Sequence, residues 1–324
     1  MTETGLMPQP VRVGTRASQL ALTQTGHVAD ALTRLGAGPH ELVRVRTDGD
    51  RLTGSLTSLG GTGVFVTALR DALLSDRCDV AVHSFKDLPT AAADGLVVAA
   101  VPPREDPRDA LCARDGLTLD TLPVGASVGT GSPRRAAQLL AARPDLRVVD
   151  IRGNVDTRLA RALGEAADLD AVVLARAGLA RLGRLDAITD TLPTDVMTPA
   201  PAQGALAVEV RAEVIGSGSA LALALAALDD QGTRLAVLAE RALLARLEAG
   251  CAAPVGAYGH LAEGTLTLST VVLRPDGTER LLLDGSTPLT GDPVADAAEA
   301  TALGERLAAD LLADGAADLA GLGS

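Results

Sequence analysis

Twice along this 324-residue chain, short apolar runs alternate with segments of helical spacing, and a proline-rich stretch closes each series. In the first series residues 11–15 read as a strand and 18–35 as a helix with Leu20, Val28, Leu32 and Leu35 on one side. Strands at 41–47, 79–83 and 96–101 and a helix at 65–74 complete it, with a Gly/Ser/Thr-rich loop at 48–63. Residues 102–107, Pro-Pro-Arg-Glu-Asp-Pro, form a stiff polar boundary. The second series places strands at 126–130, 146–151 and 171–175 and helices from Pro133, from Val155 and on to Leu182. Such alternation builds sheets with helices on their faces, so the fold class expected is α/β.

A second proline-rich linker, 193–201, precedes a strand at 205–210 that reads as a return to the first domain. Helices at 220–228 and 233–247, strands at 255–261, 265–273 and 279–283 and a helix at 293–312 then predict a small α+β C-terminal domain. The domain division expected is 1–103 with 204–220, then 104–203, then 221–324. A length of 324 agrees with two to three domains at about 150 residues each.

Composition narrows the function. With 47% hydrophobic and 22% charged residues the chain is an ordinary globular one. No apolar run reaches the roughly 20 residues of a spanning helix, and Met1-Thr2-Glu3-Thr4 lacks the basic, then apolar, pattern of a signal peptide. A soluble, cytoplasmic protein is expected. Its net charge of −12 opposes general nucleic-acid binding. Any anionic ligand must therefore be held by local cations. The only aromatic residues are Phe65, Phe85 and Tyr258, so the cores are aliphatic. Three cysteines, Cys78, Cys112 and Cys251, lack metal-type spacing and predict neither zinc nor a disulfide framework.

Local cations do cluster. Gly129-Thr130-Gly131-Ser132-Pro133-Arg134-Arg135 runs from a strand through a glycine turn into a helix whose first turn holds two arginines. Helix N-termini attract anions and disfavour cations, so the pair points to a ligand with negative charge. Asp150 to Arg158 repeats the design with Arg152 and Arg158 flanking the turn, and Arg16 with Ser18 follows the first strand. Guanidinium forks suit carboxylates. The chain's single lysine, Lys86, stands beside Asp87 at the end of the strand at 79–83, and a carboxylate there can accept N–H donors or stabilise positive charge. His83 reads as a satisfied, partly buried imidazole. Cys251, between Gly250 and Pro254, reads as a rigid loop thiol suited to covalent attachment, whereas Cys78 and Cys112 read as core fillers.

These segments together resemble the porphobilinogen deaminase family, also called hydroxymethylbilane synthases. The resemblance is carried by Gly14-Thr15-Arg16-Ala17-Ser18, Thr47-Asp48-Gly49-Asp50, Val82 to Asp87, Arg104 to Asp109, Gly129 to Arg135, Arg152-Gly153-Asn154, Ala177-Gly178-Leu179 with Arg181-Leu182-Gly183, Gln203-Gly204-Ala205 and Gly250-Cys251. It implies two periplasmic-binding-protein-like α/β domains with a cleft between them, plus the small C-terminal domain. It implies a monomeric transferase that joins four porphobilinogens head to tail into hydroxymethylbilane, with release of ammonia, in tetrapyrrole (haem) biosynthesis. Each pyrrole carries an acetate and a propionate. The cofactor implied is a dipyrromethane joined by a thioether to Cys251, with no metal and no nucleotide. Asp87 would be the catalytic carboxylate, stabilising the cation formed as ammonia leaves. Arg16, Ser18, Lys86, Ser132, Arg134, Arg135, Arg152, Arg158 and Arg181 would hold cofactor and substrate carboxylates.

Ser58 and Thr62, in a lid expected at 48–63, stand where relatives commonly carry lysines; Pro133 and Ala202 depart from the pattern too. A rival reading is a diverged paralogue that binds an anionic pyrrole or another polycarboxylate without efficient turnover. Retained Asp87 and Cys251 favour catalysis.

Overall fold

A computed structural model describes residues 9–45, 63–250 and 253–322. The chain divides into two compact units. The first runs to Pro103 and resumes over Leu206–Asp230; the second comprises Arg104–Ala205 and the remainder from Gln231.

The first unit contains β1 (Val11–Thr15), α1 (Gln19–Arg34), β2 (His40–Arg44), α2 (Gly63–Leu74), β3 (Val80–Ser84) and β4 (Leu96–Ala100), then β10 (Leu206–Arg211) and α6 (Ala220–Leu228). Its sheet has the order β2-β1-β3-β10-β4. β1 runs parallel to β2 and β3, whereas β10 runs antiparallel to both its neighbours. The alternation of side chains along each strand sends Val13, Val80, Val82 and Val208 toward α1 and α6 on one face. Val45, Cys78 and Ala81 meet Leu69, Ala72 and Leu73 of α2. Expected to open the C-terminal domain, α6 instead packs here, with Ala224 and Leu225 buried in the first core. Its sequence, ALALALAAL, has no polar face to disclose which neighbour it serves.

The second unit holds two sheets. One has the order β7-β6-β8-β5-β9, from β5 (Asp109–Ala113), β6 (Ser127–Gly129), β7 (Arg147–Val149), β8 (Ala171–Ala175) and β9 (Asp190–Thr191). It is covered by α3 (Pro133–Ala142), α4 (Val155–Leu163) and α5 (Arg176–Arg181) through Leu139, Leu159 and Leu179. Unlike β6, which is parallel to its neighbours, β5, the strand that holds Cys112, is antiparallel to β8 and β9.

The other is a meander of β11 (Val255–Ala262), β12 (Thr265–Leu273) and β13 (Arg280–Pro288). It packs against α7 (Gln231–Arg246) and α8 (Pro293–Ala313), with α9 (Ala316–Ala320) closing the end. The two sheets are tied across β12. Leu266, Leu268 and Val272 face α7 and α8, while Val271 and Leu273 pack on Ala137 and Ala141 of α3. Gly277, in the β12–β13 turn, lies against the α3 backbone. A Cβ there would stand 2.6 Å from Ala137 O and from Ala141 N, at a φ of +76°. Gly277→Ala is therefore expected to lower stability by about 2 kcal/mol or more, from the left-handed backbone and the clash with an unyielding helix. Thermal unfolding checks this; an unchanged Tm would show that the turn is not docked.

Candidate functional site

Each α/β sheet presents its possible ligand groups at the carboxyl ends of its parallel strands, the usual binding edge. In the first unit β1 ends at Thr15, fully buried, whose hydroxyl lies 2.9 Å from that of Thr25 on α1. This fixes the turn that carries Arg16 and Ser18. Ser18 caps α1, accepting from Ala21 N at 3.3 Å, which leaves its own O–H to donate outward. Gln24 of the same helix binds Ser84, the last residue of β3, at 3.1 Å. The chain then leaves the sheet in one 3-10 turn, Phe85–Asp87, pinned by buried Phe85 and Leu88. Lys86 and Asp87 are both half-buried. Asp87 makes no hydrogen bond or ion pair among the described residues, so its carboxylate is available as an acceptor. The site's carboxylate and its cations Arg16 and Lys86 thus share one edge of one sheet. His83 is 5% exposed and faces Glu209, in keeping with a structural imidazole.

In the second unit the close approach of two helix starts is permitted by Gly131. A Cβ at that position would meet Ile151 O at 2.5 Å, backbone against backbone. α3 opens with Pro133 at its start, the placement that costs no hydrogen bond, and Ser132 at its N-cap makes no side-chain capping bond. α4 is capped by Asn154, which accepts from Thr157 N at 2.8 Å.

The arginines at these starts divide into two kinds. Arg134 and Arg135 are 3% and 5% exposed and converge on Asp109 of β5, itself fully buried. Asp109 Oδ2 accepts from Arg134 at 2.8 Å, and Oδ1 accepts from Arg135 Nε at 2.9 Å and Gln203 Nε2 at 2.8 Å. Burial alone would raise the Asp109 carboxyl, but the two guanidiniums outweigh it and hold it at about 2. A second nitrogen of Arg134 donates to Thr198 O at 2.5 Å. Arg134 is thus turned inward as a brace. Arg158 differs. Its Nε donates to Gly153 O at 2.8 Å, with no carboxylate partner among the described residues. Burial first, then repulsion from Arg135 and Arg152, pushes its pKa down. Arg152 is more exposed and only loosely paired to Asp150, at 3.2 Å. Arg135, Arg152 and Arg158 therefore gather positive charge beyond what nearby carboxylates offset, a setting that favours a bound anion.

Arg181 donates to Gly204 O at 2.6 Å and sits near Glu105, beside the chain crossing rather than at the helix starts. Ser58, Thr62 and Cys251 lie outside the described residues. The other two cysteines are fully buried, and burial pushes Cys78 up to about 11 and Cys112 up to about 12. Neither thiol can form an exposed thiolate at neutral pH.

Sequence reading missed Asp109, which looks like a polar strand edge until Arg134 and Arg135 are seen to close on it from 25 and 26 residues away. It also missed Glu240, fully buried on α7. Glu240 accepts from Arg104 at 2.6 and 3.1 Å, from Ala202 N at 2.5 Å and from Gly259 N at 2.7 Å. With Arg104 N bound to Thr233 Oγ1 at 3.1 Å, three of the four segment ends of the second unit, near Arg104, Ala202 and Thr233, meet at this carboxylate. Ala202 holds a φ of +63° there, a strained conformation for a residue with a side chain.

Residues 11–215 match the family described as porphobilinogen deaminase, dipyromethane cofactor binding domain, and residues 234–313 match porphobilinogen deaminase, C-terminal domain. The chain is 58% identical to a porphobilinogen deaminase of Leifsonia xyli, over 96% of this chain and 94% of that one. It is 54% identical to porphobilinogen deaminase 1 of Streptomyces coelicolor, over 99% of both. With the porphobilinogen deaminase of Cutibacterium acnes it shares 55% identity, over 96% and 97%.

Proposed function

The chain belongs to the porphobilinogen deaminase family, and from that premise we infer that the Asp87 carboxylate and the surplus arginines divide the work of that reaction between them. The activity is that of a transferase of tetrapyrrole biosynthesis, joining porphobilinogens head to tail with loss of ammonia. The cofactor is a dipyrromethane. Its acetates and propionates fit the crowding of Arg135, Arg152 and Arg158 around too little negative charge among the described residues. When bound, the cofactor supplies the pyrrole carbon from which the chain of rings is extended.

The residues of the protein then have distinct tasks. Arg152 and Arg158 bind ring carboxylates directly, joined by the Ser132 hydroxyl and the first-turn N–H groups of α3. Arg134 and Asp109 hold Arg135 in place from behind. Arg16, Lys86 and Ser18 meet carboxylates at the edge of the first sheet. Asp87 Oδ accepts the pyrrole N–H of the ring being activated, and its negative charge stabilises the cation that develops as ammonia departs. Arg181, whose guanidinium donates to Gly204 O, is proposed as a further holder of ligand carboxylates. Cys251 carries the cofactor, since the described alternatives, Cys78 and Cys112, are sealed in the core. The working form proposed is a cytoplasmic monomer; among the described residues no helix is long and apolar enough to cross a membrane.

The observation that carries this reading is a carboxylate at Asp87 with no partner among the described residues, in a chain of this family. Intact mass and peptide mapping of protein made in a porphobilinogen-producing cell test the attachment. The adduct is expected on the Cys251 peptide alone; an unmodified Cys251, or an adduct on Cys78 or Cys112, would count against it.

A further inference from the structure

Glu209, on β10, is 2% exposed, and its charge has no part in the chemistry above. Its Oε1 lies 2.9 Å from an Arg70 guanidinium nitrogen on α2, and its Oε2 lies 3.2 Å from His83 Nε2, close but not aligned as a hydrogen bond. Burial works against this carboxylate, and His83 and Arg70 outweigh it, holding the carboxyl below its usual range. Register puts the groups together. Ala207 stands opposite His83 and Glu209 opposite Ala81, so Glu209 and His83 are diagonal neighbours on the face that α2 covers.

Buried ion pairs are weak contributors to stability, because apolar groups of similar volume often serve as well. This one fixes a position. One residue after His83 the strand ends, and Asp87 follows at the end of a single 3-10 turn closed by one backbone bond, Leu88 N to Phe85 O at 3.2 Å. With no partner of its own among the described residues, the Asp87 carboxylate takes its aim from the end of β3. Among the contacts that hold that end are a hydrogen bond of Ser84 with Gln24 and the 3.2 Å approach of His83 to Glu209. We infer that Glu209, supported by Arg70, is a positioning residue for Asp87 and acts through His83. The inference rests on the reading of Asp87 as the catalytic carboxylate.

The test is the holoenzyme carrying Arg70→Met with Glu209→Gln, which removes both charges together and strands no buried ion. Cofactor loading by mass should be unchanged and Tm should stay within about 3 °C of the parent, since no unpaired charge is created. KM for porphobilinogen should hold within about twofold while kcat falls about tenfold to 100-fold, the scale of a misplaced reacting group. His83→Asn cuts the same link while keeping Glu209 and Arg70, and is expected to give the same split should the double variant fold poorly. Parental kcat in either folded variant, or a loss confined to KM, overturns the inference. Asp87→Asn run alongside separates the two readings. Normal turnover in it removes Asp87 from the mechanism, whereas an inactive Asp87→Asn beside a fully active double variant sinks only the role of Glu209.

Discussion

Asp87→Asn is expected to lower kcat by about 100-fold to 1000-fold, the scale seen when one preorganised electrostatic group is removed from a developing charge. The amide matches the carboxylate in size and can still accept a hydrogen bond from a pyrrole N–H. What it lacks is the negative charge opposite the cation left by ammonia. Because Asp87 has no hydrogen bond or ion pair among the described residues, its replacement breaks nothing in the fold. Tm should therefore be parental and KM little changed, since the carboxylates of the substrate are held by other residues. Steady-state kinetics with porphobilinogen and a melting curve are sufficient. Near-normal kcat, or a large fall in Tm, would each refute the assignment.

The largest effect on stability is expected at Asp109→Ala. It leaves Arg134 and Arg135, 3% and 5% exposed, as two like charges with no counter-ion at the start of α3. Breaking such a buried pair costs about 3–5 kcal/mol, a large share of the roughly 5–15 kcal/mol that a folded chain has in total. The variant should melt far below the parent and lose cofactor binding. Asp109 also predicts an acid limb. Folded, its carboxyl titrates at about 2, below the roughly 3.9 of an unfolded aspartate. Its contribution, roughly 2.5 kcal/mol, is thus complete above about pH 5 and drains away as pH falls from about 4 toward 2. Denaturant unfolding between pH 6 and pH 3 measures it. If Asp109→Ala and the parent lose stability in parallel over that range, Asp109 is not the group responsible.

Local features were legible in the sequence. Ser132-Pro133 marks a helix start, Gly129 to Gly131 a turn, and the proline stretch at 193–201 a return of the chain, because each signal is contained within a few residues. The partners of those features were not. Asp109 sits at the first position of a strand, where a polar residue ordinarily meets solvent. Glu209, in Leu-Ala-Val-Glu-Val-Arg, looks like the wet side of an alternating strand, yet helices cover both faces of that sheet. Glu240 falls at a helix position that periodicity assigns to the surface, and only the segments at Arg104 and Ala202 arriving there make it interior. Long-range charge pairing leaves no periodic trace. The misplaced α6 shows the converse, an all-apolar helix whose neighbour is chosen by the route of the chain.

Strand β10 lies between β3 and β4, yet more than a hundred residues of the second unit are made between β4 and β10. During synthesis the first sheet therefore waits. At roughly 5–20 residues per second the interval is about 5–20 s. Over that time β3 has an open edge and β4 has no neighbour in its sheet. The strands encoded first thus complete their sheet only after β5 to β9 have emerged, an order of assembly opposite to the order of the elements along the gene. Unpaired strand edges are templates for association with other chains, so the nascent N-terminal half is the stretch of this protein with most to gain from a chaperone at the tunnel exit.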